Sequence, residues 1–414
     1  MTTTYTDVCV LGAGPGGAAA ALKLSHLGTS CVLLDKSTFP RDKICGDAIS
    51  SKVTLAMHRM DPQMVQRFEM ASITVPIRGV LFAAPSGTAV DIPYGGNLMA
   101  DLPEPGYVAT RLDFDNFLVE EVRRRADIDL REGVEATAFE RVEGGYRVTD
   151  KTGEHVIECR ILIDATGANS KFSRHHVGIP KEDQHYAGGI RAYYKNVKGM
   201  HPDGRIELHY VEGLTPGYFW IFPLPGNRAN IGAGMRTDFL SKRKTNLKKV
   251  MLEAIQEHPA FKERFAEAEM TDKVRGYPLP LGSKLYTLSG DHYMLVGDAG
   301  HLIDPLTGEG IGNAVYSGTL AAEQAVACLA AGDFSAATMR AYDTRIKRVI
   351  GRELKVSYRL QKMASYPWLV NLLVGLLARN QKAIQRISEM YTNEEERKNL
   401  FRPTFWFKVM LGRA

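Results

Sequence analysis

The chain has 414 residues, enough for two domains or one elaborated domain. Hydrophobic residues make up 44% and charged residues 24%, the balance of an ordinary soluble globular protein. The net charge of +5 is mildly basic, and runs such as Arg123-Arg124-Arg125 and Lys242-Arg243-Lys244 come with no nucleic-acid reading motif, so they read as solvated faces and no nucleic-acid partner is expected.

Residues 7–11 (Asp-Val-Cys-Val-Leu) are short and apolar, as a strand buried on both faces requires. Gly12, Gly14 and Gly17 follow in a G-x-G-x-x-G pattern that also contains Pro15 and Gly16, and an Ala-rich run over 18–24 predicts a helix. Residues 31–35 predict the next parallel strand, ending in Asp35, 23 residues after Gly12. This is a dinucleotide-binding context: Gly12 allows a tight turn, Gly14 lets backbone approach a diphosphate, and Gly17 lets the helix sit close to the strand. The diphosphate lies where free N–H groups and the helix dipole favour an anion. Asp35, with Lys36 beside it, is placed for an adenosine ribose. The loop alone does not separate NAD from FAD.

Strands are expected over 79–84 and 88–92, an extended segment becoming a helix over 108–125, and a β-meander over 128–165 that enters a turn at Gly167. Residues 183–235 are β-rich, 245–268 are helical by periodicity, a strand and a Gly-rich helix opening occupy 292–330, and the remainder is mostly helical. A β-rich substrate domain inserted into a Rossmann-like domain is the simplest topology. On this reading residues 1–75, 101–182 and 275–330 form the cofactor domain, 76–100 and 183–274 the substrate domain, and 331–414 a helical C-terminal region. Cys9, Cys31, Cys45, Cys159 and Cys328 have no paired spacing, which points to a reduced, cytoplasmic compartment and no metal cluster. The first apolar stretch is the first strand, so no secretory leader is expected.

A second Gly-rich stretch, Gly297-Asp298 through Pro305 to Gly308-Glu309-Gly310-Ile311, lies about 285 residues after the first and again opens a helix. Two such loops at opposite ends of one domain imply a long cofactor with two polar ends, and FAD is such a molecule. Asp298 is expected to bind the ribityl side. The turn 308–313 is expected to face the pyrimidine edge of the ring, where its N–H groups would stabilise negative charge.

Together with residues 164–167 (Asp-Ala-Thr-Gly), these loops resemble the flavoprotein superfamily of p-hydroxybenzoate hydroxylase, over roughly residues 5–330. Residues 39–47 (Phe-Pro-Arg-Asp-Lys-Ile-Cys-Gly-Asp) resemble the Pro-x-x-Lys-x-Cys-Gly segment of the geranylgeranyl reductase family within it, and Tyr218-Phe-Trp220-Ile-Phe222-Pro223 with Gly232-Ala-Gly234 is similar to that family's aromatic motif. The second Gly usual after the Cys-Gly pair is Asp47 here. The resemblance implies an α/β fold with a Rossmann-like FAD domain, an inserted β-sheet domain and a helical C-terminus. It also implies an FAD-dependent reductase of carbon–carbon double bonds in a hydrophobic, isoprenoid-like substrate, with NAD(P)H as donor. It gives Lys43, Cys45 and Gly46 a place near the flavin, Arg111 a place at its phosphate and ribityl region, and Pro305 a place at the reactive edge of the ring. Cys45, Tyr218 and Trp220 become the candidate catalytic residues, the strand 218–223 lining the substrate tunnel.

Two other classes compete. One is an FAD-dependent monooxygenase or halogenase, against which the strand 218–223 has one Trp where halogenases have two. The other is a non-catalytic flavin-binding partner protein. No run reaches the roughly 18 apolar residues of a membrane span. The apolar segment 368–378 and the aromatic, basic tail 401–414 read instead as surfaces for peripheral contact with the inner face of a membrane, a route for a lipid substrate.

Overall fold

The computed structural model of the chain describes residues 2–95, 104–392 and 404. One sheet runs in the order Ser289–Gly290, Tyr293–Leu295, His155–Asp164, Thr2–Leu11, Cys31–Asp35, Ile128–Glu132. From Tyr293–Leu295 onward its neighbours are parallel. Val8, Cys9 and Val10 in the central strand are fully buried, which is why this stretch is continuously apolar rather than alternating. Leu11 is in register with Leu34 and Asp164, and Asp164 with Leu295, so four strands end their carboxyl edges in one row. That row is where ligands bind in open parallel sheets.

Helices Pro15–His26 and Ile311–Ala331 each start just beyond this row. They cross backbone to backbone: a Cβ added at Gly318 would sit 2.1 Å from the Gly16 carbonyl oxygen. Neither helix has a side-chain N-cap or an acidic residue in its first turn, whereas the helices starting at Pro62, Arg111, Leu247 and Ala336 are capped by Asp61, Thr110, Asn246 and Ser335. Two helix starts with unsatisfied N–H groups are thus open to an anion.

The second sheet runs Glu269–Met270, Tyr186–Lys195, Arg228–Arg236, Tyr218–Leu224, Arg205–His209, Gly79–Ala83, Ala89–Pro93. It is antiparallel except where Arg205–His209 meets Gly79–Ala83, which closes two distant stretches of chain into one sheet. The strand Arg275–Pro280 also belongs to it, pairing with Tyr186–Lys195. The return to the first sheet therefore comes later than the expected residue 275. Pro278 and Pro280 sit on this edge strand, where a missing N–H is tolerated, and they mask the strand pattern in the sequence.

The helices Ser51–Met60 and Pro62–Met70 lie inside the segment read only as a βαβ start. At the C-terminus, helices Ala336–Ile346 and Arg352–Ala364 bury Met339, Tyr342 and Leu354 in the core of the first sheet. Helices Pro367–Ala378 and Gln381–Thr392 place Val370, Val374 and Ile384 against the second. Among the described residues no helix is long and apolar enough to cross a membrane. The tail 401–414 lies outside the described residues, apart from Thr404.

Candidate active site

A polar trough of about 360 Å³ runs along the carboxyl edge of the first sheet. Its floor is the first glycine loop. Gly12 adopts φ +89° and packs against the Ala165 carbonyl, and a Cβ at Gly17 would lie 1.7 Å from the Gly12 carbonyl oxygen. Both positions therefore exclude any side chain. Gly14 differs, because a Cβ there meets only the end of the Arg41 side chain at 3.4 Å and otherwise points into the trough. Gly12, Gly14, Pro15 and Gly16 line the trough, while Gly17 lies behind it, joining helix to strand. Asp35 and Lys36 close one end. One Asp35 oxygen accepts from Ala13 N at 2.8 Å and the other from Ser37 N at 2.8 Å, so this carboxylate also ties the glycine loop to its own strand.

At the other end lie Gly167, Gly297, Asp298 and Lys43. Gly167 takes φ +84° in a turn organised by the buried Asp164, which accepts from Thr166 N at 3.0 Å. Lys43 Nζ is 3.2 Å from Asp298 Oδ2 and 5.1 Å from the centre of the Tyr277 ring. Arg111 is buried here, but its guanidinium is taken up by Asp115, with Nε–Oδ1 at 2.6 Å and Nη2–Oδ2 at 2.7 Å. Burial alone would raise the Asp115 carboxyl; the charge and hydrogen bonds of Arg111, with the charges of Arg41 and Lys43, together outweigh it and hold the group below its ordinary value. Two nitrogens of the fork expected near a phosphate are thus paired with an internal carboxylate one helical turn on, while Arg111 still lines both cavities. Arg41, also on Asp115 at 2.6 Å, is the more open guanidinium in the trough.

An apolar chamber of about 470 Å³ adjoins the trough, and Pro15, Lys43, Arg111, Tyr277 and Asp298 line both. One side is the loop Thr307, Gly308, Glu309, Gly310 and Ile311 at the start of the second helix. Cys45, Gly46 and Asp47 stand at the join, and Tyr218, Trp220 and Phe222 form a wall from alternate positions of one strand. The Trp220 indole lies over Gly232, the residue opposite it on the next strand, where a Cβ would be 2.1 Å from the ring. Farther in, the lining is Val80, Ile92, Ile206, Leu208 and Ile387.

The polar ends of the aromatic wall turn into protein. Trp220 Nε1 donates to Asn230 Oδ1 at 2.9 Å, and the Tyr218 hydroxyl donates to the Thr307 carbonyl. Burial also pushes the Tyr218 phenol up, and its hydroxyl is engaged with the loop at Thr307. Burial likewise pushes the Cys45 thiol up, against the opposing pull of Arg111, which hydrogen-bonds it. Cys45 therefore stands at the chamber as a protonated thiol. Pro305 does not reach either cavity. It is buried, its carbonyl accepts from Gln361 Nε2, and the loop instead presents Ile303 and 307–311.

Four residues without a prior role join the site: Asp47, Tyr193, Asn230 and Tyr277. Only Asp47 carried a signal, as an acid where the related segment has Gly. Asn230 Nδ2 bonds Cys45 O at 2.7 Å and Asp47 Oδ2 at 2.8 Å, and the Tyr193 hydroxyl reaches the same oxygen at 2.8 Å. Burial pushes the Asp47 carboxyl up to about 7 despite these bonds.

Both helix starts, the side-chain-free cradle at Gly14 and the adjoining chamber fit an extended dinucleotide whose ring end would lie beside the chamber. The FAD binding domain family matches the chain over residues 5–355. Digeranylgeranylglycerophospholipid reductase 1 of Methanopyrus kandleri is 30% identical over 82% of this chain and 85% of its own. Menaquinone reductase of Mycobacterium tuberculosis is 28% identical over 87% and 84%. A geranylgeranyl bacteriochlorophyll reductase-like structure from Thermoplasma acidophilum superposes with a TM-score of 0.79 at 23% identity, covering 97% of this chain and 99% of that one. A flavin-dependent halogenase shares the fold at a TM-score of 0.72 and 21% identity, covering 84% and 63%.

Proposed function

The chain belongs to the FAD binding domain family and is an FAD-dependent oxidoreductase of the geranylgeranyl reductase type; from that premise we propose that it reduces carbon–carbon double bonds in the prenyl chain of a membrane lipid or quinone. The observation that carries this reading is the adjacency of the polar trough to an aromatic, apolar chamber that a thiol lines. Bound FAD supplies a hydride from its reduced ring. Everything else falls to the chain. Gly14, the helix start at Pro15, Asp35, Lys36 and Arg41 would hold the adenosine diphosphate half, and Asp298 with Lys43 and Gly297 the ribityl side. The uncapped helix start at Gly310–Ile311 would offer its N–H groups to the ring edge that gains negative charge on reduction. Trp220 and Phe222 hold an isoprene unit against the ring and exclude water.

Adding a hydride to one alkene carbon requires a proton at the other. Cys45 is the donor in this reading. Its thiol stays protonated at neutral pH, and the thiolate formed on release is met by the Arg111 guanidinium and the Asp47 N–H. Tyr218 holds the loop and Trp220 positions substrate. NAD(P)H is the proposed source of electrons. The substrate is proposed to come from the inner face of the cytoplasmic membrane: Tyr366, Trp368 and Leu372 are 57%, 65% and 48% exposed on or beside the helix Pro367–Ala378, which packs on the chamber strand Ala89–Pro93.

The test is anaerobic. Enzyme carrying reduced FAD is mixed with a polyprenyl lipid or a prenylated quinone, and reoxidation with formation of the dihydro product is expected without oxygen. Reoxidation only after oxygen is admitted, with a hydroxylated or halogenated product, would overturn the reading in favour of the monooxygenase class. No substrate-linked turnover in either arm would leave a flavin-binding partner protein. For the membrane contact, replacing Trp368 and Leu372 by Ser should abolish flotation with anionic vesicles; unchanged flotation removes it.

A further inference from the structure

The positive charge of the chain is concentrated in its C-terminal helices. Residues 340–386 hold 11 Lys and Arg against two acids, Asp343 and Glu353, a local charge of +9 in a chain whose total is +5, so the remainder is net acidic. Both acids are already engaged. Asp343 is buried and accepts from Leu288 N at 2.7 Å, and Glu353 pairs with Lys52 at 2.7 Å. On the helix Arg352–Ala364 the exposed cations are Arg352, Lys355, Arg359 and Lys362. Their spacing of three, four and three residues puts them on one side of the helix, within about 80° of arc and along about 15 Å. Among the described residues none of the four is paired with a carboxylate; Lys362 lies over the Tyr358 ring at 4.3 Å. The exposed Met363 ends this row, and the exposed Tyr366, Trp368 and Leu372 follow it.

The opposite side of the same helix holds the site. Gln361 Nε2 donates to the Pro305 carbonyl, Ser357 hydrogen-bonds Asp304, and Glu353 holds Lys52, whose Nζ also reaches Asn313 Oδ1 at 3.1 Å. Glu353, Ser357 and Gln361 are four residues apart and share that inner side. The helix is thus two-faced: it carries the loop beside the chamber on one side and an unpaired row of cations on the other.

We propose that the row Arg352, Lys355, Arg359 and Lys362 is a docking surface for the acidic headgroups of an anionic bilayer, so that the enzyme selects the membrane from which it draws substrate. This rests on the membrane contact assigned to Tyr366, Trp368 and Leu372. The two parts do different work. The aromatic and aliphatic side chains bury in the interface of any bilayer, whatever its charge. Each cation held near an anionic surface adds about fivefold to partition, and only while the surface lies within a Debye length. A convex row of cations that ends in exposed apolar side chains matches a surface whose charge overlies hydrocarbon. A nucleic acid would meet the cations but leave the apolar end with nothing to bury in.

The test compares two double variants of the FAD-loaded enzyme that remove the same charge. One is Lys355→Gln with Arg359→Gln; Gln is a good helix former, so the exposed helix is kept. The control is Lys248→Gln with Lys249→Gln, on the exposed side of the helix Leu247–Glu257, which covers the opposite face of the second sheet from the helix Pro367–Ala378. Partition is measured by flotation with vesicles of phosphatidylcholine alone and of phosphatidylcholine mixed with phosphatidylglycerol. The wild type should prefer the mixed vesicles and lose that preference as salt is raised. The first variant should bind them about 25-fold more weakly and the control should match the wild type. Equal binding of the wild type to both vesicles, or equal weakening of both variants, overturns the proposal. So does binding to duplex DNA that the first variant loses while its vesicle binding is unchanged.

A substrate arm separates this proposal from the reading beneath it. With a prenyl lipid in neutral detergent micelles all three proteins should reduce it at one rate. With the same lipid in mixed vesicles only the first variant should slow, through a raised KM. Reduction in micelles without the expected vesicle selectivity overturns the docking row alone. An inert wild type with that selectivity intact overturns the reductase reading alone.

Discussion

The trough and the chamber share a border but are built by different physics. The trough is made of backbone: glycines that bring main chain within reach of a ligand, and two helix starts whose N–H groups are left unpaired. The chamber is made of side chains gathered from six or more separate segments, apolar and aromatic, with their polar atoms tied back into the protein. Backbone recognition depends on a few positions at fixed spacing and tolerates no substitution there. Side-chain recognition spreads over many positions, each replaceable at moderate cost. The cofactor is therefore bound by rule and the substrate by shape.

The sharpest way to break this contrast is within the trough itself. Gly17→Ala places a Cβ 1.7 Å from the Gly12 carbonyl and should cost upwards of about 3 kcal/mol, seen as a collapse in Tm and loss of bound FAD. Gly14→Ala meets only the Arg41 tip and should fold normally while FAD affinity falls by about tenfold or more, measured by titration of apoprotein. If both variants behave alike, the trough is not organised as described.

On the chamber side, Trp220→Ala should cost about 3 kcal/mol or somewhat more, as loss of a buried aromatic does, yet leave FAD stoichiometry unchanged and raise KM for prenyl substrates. Loss of FAD from this variant would show the two regions to be one.

Asp47, at the border, gives a pH-dependent effect of similar or smaller size. Its folded value of about 7 lies above the ordinary value of a free aspartate, so the folded state holds its proton more tightly. Its contribution favours folding at low pH and is lost as pH rises from about 4 to about 7, by roughly 4 kcal/mol at most. Denaturation of wild type and Asp47→Asn across that window should show the variant gaining relative to wild type and the gap levelling above pH 7. The smallest effect is Tyr218→Phe, which removes one hydrogen bond to Thr307 and should cost about 1 kcal/mol with reduction intact. An abolished reaction would restore Tyr218 as the proton donor.

The same contrast decides what was legible in the sequence. Gly12, Gly14, Gly17 and Asp35 stand in a local order that the strand and helix around them make meaningful, and the structure brings Gly12, Gly14 and Asp35 to one trough with Gly17 packed behind it. Arg111 was visible as a charge, but its neutralisation by Asp115 is a helical i,i+4 pairing that a charge count overlooks. Asn230 and Tyr193 reach the Cys45 loop from strands far along the chain, where an Asn and a Tyr in a β pattern carry no local mark. The strand Arg275–Pro280 was hidden by its prolines. Pro305 was placed at the ring by the resemblance, whereas here helix Arg352–Ala364 covers it through Gln361.

The crossing of Gly16 over Gly318 has a last consequence. With no side chain between them, the two helices act as the jaws of a caliper whose opening is held in space rather than along the chain. The two contact points lie about 300 residues apart, and whatever is strung between them leaves the gap unaltered. A lineage can therefore lengthen, trade or redecorate the intervening sheet, and with it the choice of lipid, while the measured gap that grips the nucleotide is inherited intact.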